Sequence, residues 1–338
     1  MIKVCIIGMG HIGHKHARGY RRLPYCELVG VCDIREDRAR AASKEFGVPY
    51  FLDATEMIKA LHPDVCSVTT GGYEYASDHY IATMDALHGG CHVLCEKPLS
   101  NNLEHAREMV AEAKRLGLCF AVDFNHRCSP AAYQAKKWID DGRLGEKLFC
   151  NMALWIGKFG RFESEVYHLK ALEPHAVNMM EYYMGRVETV TCFAARAEGR
   201  NIFSTASVNM KFENGGVGHL TSSYDIKRAH PMERLEVGGT GGRIVFEDMW
   251  REATLYPAES MVKEVYTNPV FDGYRDFDDT FYERIRRFAE QVDRGDSPEA
   301  IDGSGEEGLR AVMVIHSAIQ SLYEGGKPVK VAEVTRIV

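Results

Sequence analysis

The stretch from Met1 to Asp33 constrains the fold more than any other. Ile2, Val4 and Ile6, with Cys5 and Ile7, make an apolar run of strand character that passes without a spacer into Gly8-Met9-Gly10-His11-Ile12-Gly13. In a G-x-G-x-x-G turn between a strand and a helix, each glycine has its own task. The first makes the tight turn, the second lets the backbone approach a pyrophosphate, and the third lets the following helix pack closely on the strand. That helix is expected over His14 to Arg22, with its N-terminal amides facing the phosphates. A second strand, Leu28 to Cys32, ends in Asp33, twenty residues after Gly13 and placed to hydrogen-bond the adenine ribose hydroxyls. The register reads as a dinucleotide site, with Gly8, Gly10, His11, Ile12, Gly13 and Asp33 as cofactor contacts.

The same acid bears on which dinucleotide is bound. A 2′-phosphate beside Asp33 would meet a like charge worth roughly 4 kcal/mol at ~4 Å and an effective dielectric of ~20. Arg35 or Arg38 would offset a similar amount if either side chain pointed inward; otherwise they form the solvated face of the next helix. The expectation is NAD rather than NADP, with Arg35 at the edge of the site.

The 338 residues, 45% hydrophobic and 26% charged, can bury substantial cores and suggest two domains. A net charge of −7 without a long basic run argues against a nucleic-acid partner. No apolar stretch approaches membrane-spanning length. With a strand starting at residue 2, no secretory leader is expected, and the cytoplasm is the expected compartment. Ten cysteines, all between Cys5 and Cys192, include no C-x-x-C pair and read as small buried hydrophobes in a reducing compartment. Cys91-His92-Val93-Leu94-Cys95 would splay its side chains on a strand. His11, His14 and His16 occupy the glycine turn and its helix and read as structural, so no metal is expected.

From Asp33 the pattern alternates. Helices are expected at Asp37–Phe46, Ala54–Leu61, Asp78–His88 and Leu103–Leu116, and apolar strands at Val48–Leu52, Val65–Thr69, His92–Cys95 and Cys119–Phe124. This is a doubly wound α/β pattern over residues 1–124. Asn101 with Glu104 resembles a capping box, and Gly117 supplies a stop. Residues 125–338 read as a second, α+β domain for substrate binding and oligomerisation. After a helix near Asp141 and another ending at Met184-Gly185, strand-like runs follow without crossover helices, which implies a large, mostly antiparallel open sheet. Asn214-Gly215-Gly216 is a hairpin signal, and Gly238-Gly239-Thr240-Gly241-Gly242 reads as a turn because a strand follows it. Helices at Thr280–Val292 and Glu306–Tyr323 and an edge strand at Pro328–Val331 close the chain. A sheet covered on one side usually finds a partner subunit, so a homodimer or homotetramer is expected.

In doubly wound sheets, ligands bind at the carboxyl ends of the strands. Cys95-Glu96-Lys97-Pro98 leaves one such end, which places Lys97 near the nicotinamide, and the proline restricts the backbone after it in a trans or cis bond. By spacing alone, a surface charge is the favoured reading of Lys97.

Gly8-x-Gly10-x-Ile12-Gly13-x-x-His16, Asp33, the run Gly90-Cys91-His92-Val93-Leu94-Cys95-Glu96-Lys97-Pro98 and Asn125-His126-Arg127 together resemble the glucose–fructose oxidoreductase, inositol dehydrogenase and MocA family. The resemblance extends to the tail, Gly308-Leu309-Arg310-Ala311 through Gly326-Lys327-Pro328-Val329. It implies a dinucleotide-binding domain, a second domain on a large sheet, and chemistry in the cleft between them. Family members commonly move a hydride between a sugar or cyclitol carbon and the nicotinamide. The lysine matching Lys97 holds the reacting oxygen, and His175 is the candidate for the histidine that carries the proton. Thr70, His79, Glu96, Lys97 and Asn125 are assigned to the cofactor.

His175 can also be argued physically. If a helix starts at Pro174, a residue suited to the first turn, its dipole favours neutral imidazole by ~0.3–1 kcal/mol and moves an unperturbed pKa of about 6.5 downward. His175, Asn178 and Tyr182 share a face at helical spacing; a core histidine is the competing reading. The sequence departs from the family at Ala171 and Asn178, where aspartates are common, which weakens the expected proton relay. It departs again at Thr69-Thr70-Gly71-Gly72-Tyr73-Glu74, which replaces a proline-containing turn before His79. Lys97, Arg127, Trp155, Tyr167, His168, Lys170, His175 and Asn178 are the expected substrate contacts. The expected activity is hydride transfer from a secondary CH–OH of a sugar or cyclitol. Two alternatives stay open: glycoside cleavage by transient oxidation and elimination with a retained cofactor, and a non-catalytic nucleotide-binding subunit. The intact pair Lys97 and His175 argues against the latter.

Overall fold

Ile2–Ile7 is β1, and all but one of its residues are buried. The computed structural model describes residues 1–72, 78–227, 232–248, 251–271 and 273–334. Among these, β1 lies inside a six-stranded sheet with β2 (Cys26–Cys32), β3 (Tyr50–Phe51), β4 (Val65–Val68), β5 (His92–Cys95) and β6 (Phe120–Val122), in the order β3-β2-β1-β4-β5-β6. Every pairing is parallel. Because β2 and β4 flank β1, the strand order reverses there and opens a crevice at the carboxyl ends of β1 and β4. The connecting helices are α1 (His11–Arg21), α2 (Glu36–Phe46), α3 (Ala54–Leu61), α4 (Tyr80–His88) and α5 (Leu103–Leu116). α1 starts three residues before the expected His14, directly on the glycine turn. The cap of α5 is Asn102, not Asn101: its side-chain oxygen accepts from the amides of Glu104 and His105.

The second sheet has nine strands, β14-β13-β12-β11-β7-β10-β9-β8-β15. They are β7 (Lys147–Trp155), β8 (Val187–Ala195), β9 (Thr205–Phe212), β10 (Val217–Ser223), β11 (Glu233–Gly239), β12 (Gly242–Glu247), β13 (Glu252–Pro257), β14 (Glu264–Thr267) and β15 (Val329–Lys330). β7 and β10 pair parallel, and the other pairings are antiparallel. The glycine-rich run at 238–242 closes the β11–β12 hairpin, with Thr240-Gly241 as the turn and the flanking glycines paired in the strands. α6 (Pro130–Asp140) is capped by Ser129, whose hydroxyl accepts from the Ala132 amide. α7 (Tyr167–Met184) packs on β7, β9 and β10 and buries nearly all its residues. On β9, the residues alternating with the buried set include exposed Asn209 and Lys211.

The chain divides into two compact units, 1–125 with 276–312, and 126–275 with 313–338. Beside the expected division at 124/125, the first unit also takes in residues 276–312. α8 (Asp278–Asp293) returns to the first unit, where Ile285, Phe288 and Ala289 join Ile6, Tyr20, Val31 and Leu94 in one core. Gly19 of α1 makes room for it: a Cβ there would come 2.7 Å from the Ile285 side chain. The boundary recurs within α9 (Gly305–Tyr323). No helix among the described residues is long and apolar enough to cross a membrane.

Candidate active site

The glycine turn has the geometry its three positions call for. Gly8 has φ +100°, and a Cβ on it would collide with the Thr69–Thr70 backbone at 2.6 Å. Gly13 sits where a Cβ would lie 2.1 Å from the Gly8 carbonyl oxygen, so the helix packs on the turn as closely as backbone allows. At Gly10 a Cβ would meet no atom within 4 Å. That space, at the start of α1 and with exposed His11 and half-buried Ile12 beside it, suits a pyrophosphate at the helix N-terminus. The residues present fit a dinucleotide.

Asp33 follows β2 and is buried; its carboxylate accepts from the Met9 amide at 2.7 Å and the Arg35 amide at 2.8 Å. The acid thus ties the glycine turn to the second strand, and any ribose hydroxyl would share an oxygen already engaged. The Arg35 guanidinium turns to Asp37, at 2.8 Å, and is more than half exposed. It does not screen a 2′-phosphate beside Asp33 in this arrangement, which favours NAD.

At the end of β4, Thr69 Oγ1 donates to the Gly8 carbonyl at 2.6 Å and Thr70 Oγ1 to the Asp78 carbonyl at 3.2 Å. His79 is buried with Nδ1 2.8 Å from the Pro98 carbonyl oxygen and Nε2 3.1 Å from that of Thr70. It therefore links the β4 and β5 turns. Tyr73 and Glu74 lie outside the described residues.

Lys97 leaves the carboxyl end of β5, half-buried, with a cis bond to Pro98. Its amide donates to Glu96 Oε2 at 3.1 Å. Behind it lies a network that sequence reading missed. His16 of α1 is fully buried, with Nδ1 2.6 Å from Ser67 Oγ and Nε2 3.2 Å from Glu96 Oε1 and 3.0 Å from Asp123 Oδ2. Burial pushes the imidazole pKa down, but the bonds and charges of Asp123 and Glu96 outweigh it and raise the value to about 9. Asp123 is itself raised by burial and by neighbouring Glu96. Among the described residues this trio is also the group whose ligand atoms lie close enough for a metal, within 4.8 Å of one another. A proton on His16 meets both carboxylates without one. His11 and His14 take no part: His11 is exposed, and His14 bonds the Gly10 carbonyl. Asn125, after β6, donates to Thr280 Oγ1 of α8 at 2.7 Å, and its buried carbonyl oxygen has no hydrogen-bond partner among the described residues.

In the second unit, α7 carries His175 and Asn178, both buried and one turn apart. The helix begins at Tyr167, so Pro174 lies inside it and His175 is in its third turn. The argument from a positive helix end therefore fails for His175. Pro174 cannot donate to the Lys170 carbonyl, and a helix buried nearly all round tolerates that loss through packing. The His175 ring stacks on His126, with centroids 3.8 Å apart and planes 15° apart, and His126 Nδ1 lies 2.6 Å from Glu233 Oε2. Glu173, also on α7, is buried and accepts from Ser222 Oγ at 2.7 Å; burial raises its carboxyl to about 7 despite that bond.

The remaining expected substrate contacts divide by exposure. Arg127 is buried, with its guanidinium 4.7 Å from the centroid of the Tyr182 ring of α7. His168 is fully buried against the edge of Tyr224, and burial lowers it to about 3. Tyr167 accepts from Lys158 Nζ at 2.9 Å and packs on Phe162. Lys170 and Trp155 are half-buried, and burial lowers the Lys170 ammonium.

Residues 2–124 match the oxidoreductase family with an NAD-binding Rossmann fold, and residues 132–245 match the GFO/IDH/MocA C-terminal domain. The chain belongs to the Gfo/Idh/MocA oxidoreductase family. It is an oxidoreductase with an NAD-binding Rossmann fold. Over its whole length it is 27% identical to the myo-inositol 2-dehydrogenase of Thermotoga maritima, covering 98% of this chain and 99% of that one. A shorter match, 40% identical over 147 residues, is to the D-glucoside 3-dehydrogenase of Escherichia coli K12 and spans 43% of this chain and 41% of that one. A levoglucosan dehydrogenase solved with NADH and levoglucosan shares the fold, with a TM-score of 0.87 at 19% identity over 98% of this chain and 100% of that one. The Gfo/Idh/MocA assignment accounts for the parallel sheet, the large second sheet and the glycine turn.

Proposed function

We propose that this chain oxidises a secondary hydroxyl of a sugar or cyclitol with NAD, or reduces the corresponding ketone with NADH. The observation that carries the reading is Lys97 at the carboxyl end of β5, on a turn whose backbone is held by Glu96 and, through it, by His16. The turn so held fixes the point from which the Lys97 side chain starts. The names of the relatives, dehydrogenases of inositol and of a glucoside, support the substrate class. They lend nothing to glycoside cleavage by elimination.

When bound, the nicotinamide supplies a hydride acceptor. Gly8, Gly10 and Gly13 bring backbone to the pyrophosphate, and Asp33 takes the ribose. Lys97 donates to the reacting oxygen and stabilises alkoxide as it develops, and His175 accepts the hydroxyl proton. Asn178, one turn on, offers an amide where many members of the family carry aspartate. It can orient a hydroxyl but cannot take a proton onward from His175. Tyr167, Lys170 and Trp155 are further substrate contacts in this reading. The outward residues of the nine-stranded sheet, such as Asn209 and Lys211, suit a partner subunit of the same chain.

The test is NADH formation from NAD with myo-inositol, methyl β-D-glucoside and levoglucosan, for the wild type and for Lys97→Ala. Loss of at least ~100-fold in kcat is expected for Lys97→Ala, with NAD affinity retained. Equal turnover by mutant and parent would refute the role of Lys97.

A further inference from the structure

We infer that His126, anchored by Glu233, is a positioning residue that fixes the ring of His175. The inference rests on the reading of His175 as the proton acceptor. Glu233, the first residue of β11, is fully buried, and its carboxylate needs a donor. His126 supplies one from the short turn Asn125–Cys128, through Nδ1 at 2.6 Å. An imidazole held at one nitrogen cannot turn about its χ2, so its face becomes a fixed surface. His175 lies flat on that surface at 3.8 Å and 15°, which blocks rotation of its own ring and keeps its nitrogens on constant bearings.

Two further facts favour this role over a purely packing one. Pro174 cannot donate to the Lys170 carbonyl, so the helix backbone has one tie fewer immediately before His175, where the ring must be held. A buried histidine–carboxylate pair is also a poor device for stability, since an apolar pair of similar volume does as well or better. Orienting a neighbouring ring is a task an apolar pair would do less well, because nothing anchors its own rotation.

The experiment combines kinetics with crystallography. The variants are His126→Ala, His126→Phe with Glu233→Gln (which keeps a flat ring and orphans no charge), His175→Ala, and His126→Ala with His175→Ala. The probes are myo-inositol and methyl β-D-glucoside with NAD. His126→Ala should lower kcat roughly tenfold to a hundredfold, with KM and the NAD Kd changed by no more than about twofold. Adding it to His175→Ala should cost nothing more, and the double variant with phenylalanine should recover part of the loss. In the crystal structure of His126→Ala, the His175 ring should take up a different rotamer. The inference is overturned if that ring stays in place, or if His126→Ala slows the enzyme as much without His175 as with it. Should neither probe be oxidised, the ring position alone decides. Full kcat in His175→Ala would instead overturn the proton-acceptor reading, a separate outcome.

Discussion

Replacing His16 by glutamine tests the buried network beneath Lys97. The imidazole rises from 6.5 to about 9 because Asp123 and Glu96 favour its charged form by more than burial disfavours it. A rise of that size is worth roughly 3 kcal/mol, at ~1.4 kcal/mol for each tenfold change in proton affinity. A group whose pKa is higher in the folded state stabilises it fully below the unfolded value. That stabilisation fades through the interval and is lost above the folded value. The difference in unfolding free energy between wild type and His16→Gln should thus be roughly 3 kcal/mol near pH 6 and shrink by a similar amount by about pH 9.5. Urea unfolding of both proteins at a series of pH values measures it, and taking the difference cancels the groups that do not interact with His16, leaving His16 together with Asp123 and Glu96. A difference that stays constant across this range would refute the charged-histidine account and leave hydrogen bonding by a neutral ring.

Glu173 should show the opposite preference for its neutral state. Burial raises its carboxyl from 4.5 to about 7, so the cost to folding builds as pH rises from 4.5 and is complete above about 7. Glu173→Gln, able to keep the Ser222 contact, should stabilise the protein by up to roughly 3 kcal/mol above pH 7 and by nothing near pH 4.5, as read by unfolding midpoints. Gly10→Ala should leave stability unchanged while weakening NAD binding by tenfold or more, at ~1.4 kcal/mol per tenfold, measured by titration calorimetry. Gly13→Ala, facing a backbone oxygen at 2.1 Å, should destabilise the fold by about 1–3 kcal/mol, measured by denaturant unfolding. Asn102→Ala removes the cap of α5 and should cost about 1 kcal/mol by the same assay.

The first sheet was legible because its signals are local. Apolar runs, glycines at set offsets and strand-terminal acids all lie within a few residues of what they specify, and Lys97 could be located from its strand alone. The start of α7 was not legible, because Pro174 is a good first-turn residue and only the packing of 167–173 overrides it. Nor was the membership of α8, since Ile285 is one more apolar position until Gly19 of α1 is seen beside it. His16, Asp123, Glu233 and His126 draw their meaning from partners up to 107 residues away. His16 and His126 stood in the motifs that carry the family resemblance, and Asp123 carried a local hint as an acid at the carboxyl end of a strand, but none of these signals named the partner.

The broken course of the first unit has a consequence for how the chain is made. Its nucleotide-binding sheet is complete at residue 125, yet α8, which seals one side of its core, follows only after the 150 residues of 126–275. At about 5–20 residues per second, a nascent sheet waits roughly 8–30 s on the ribosome with Tyr20 and Leu94 unsealed. Early release or a pause within that interval would expose the surface meant for Ile285 and Phe288 to other chains.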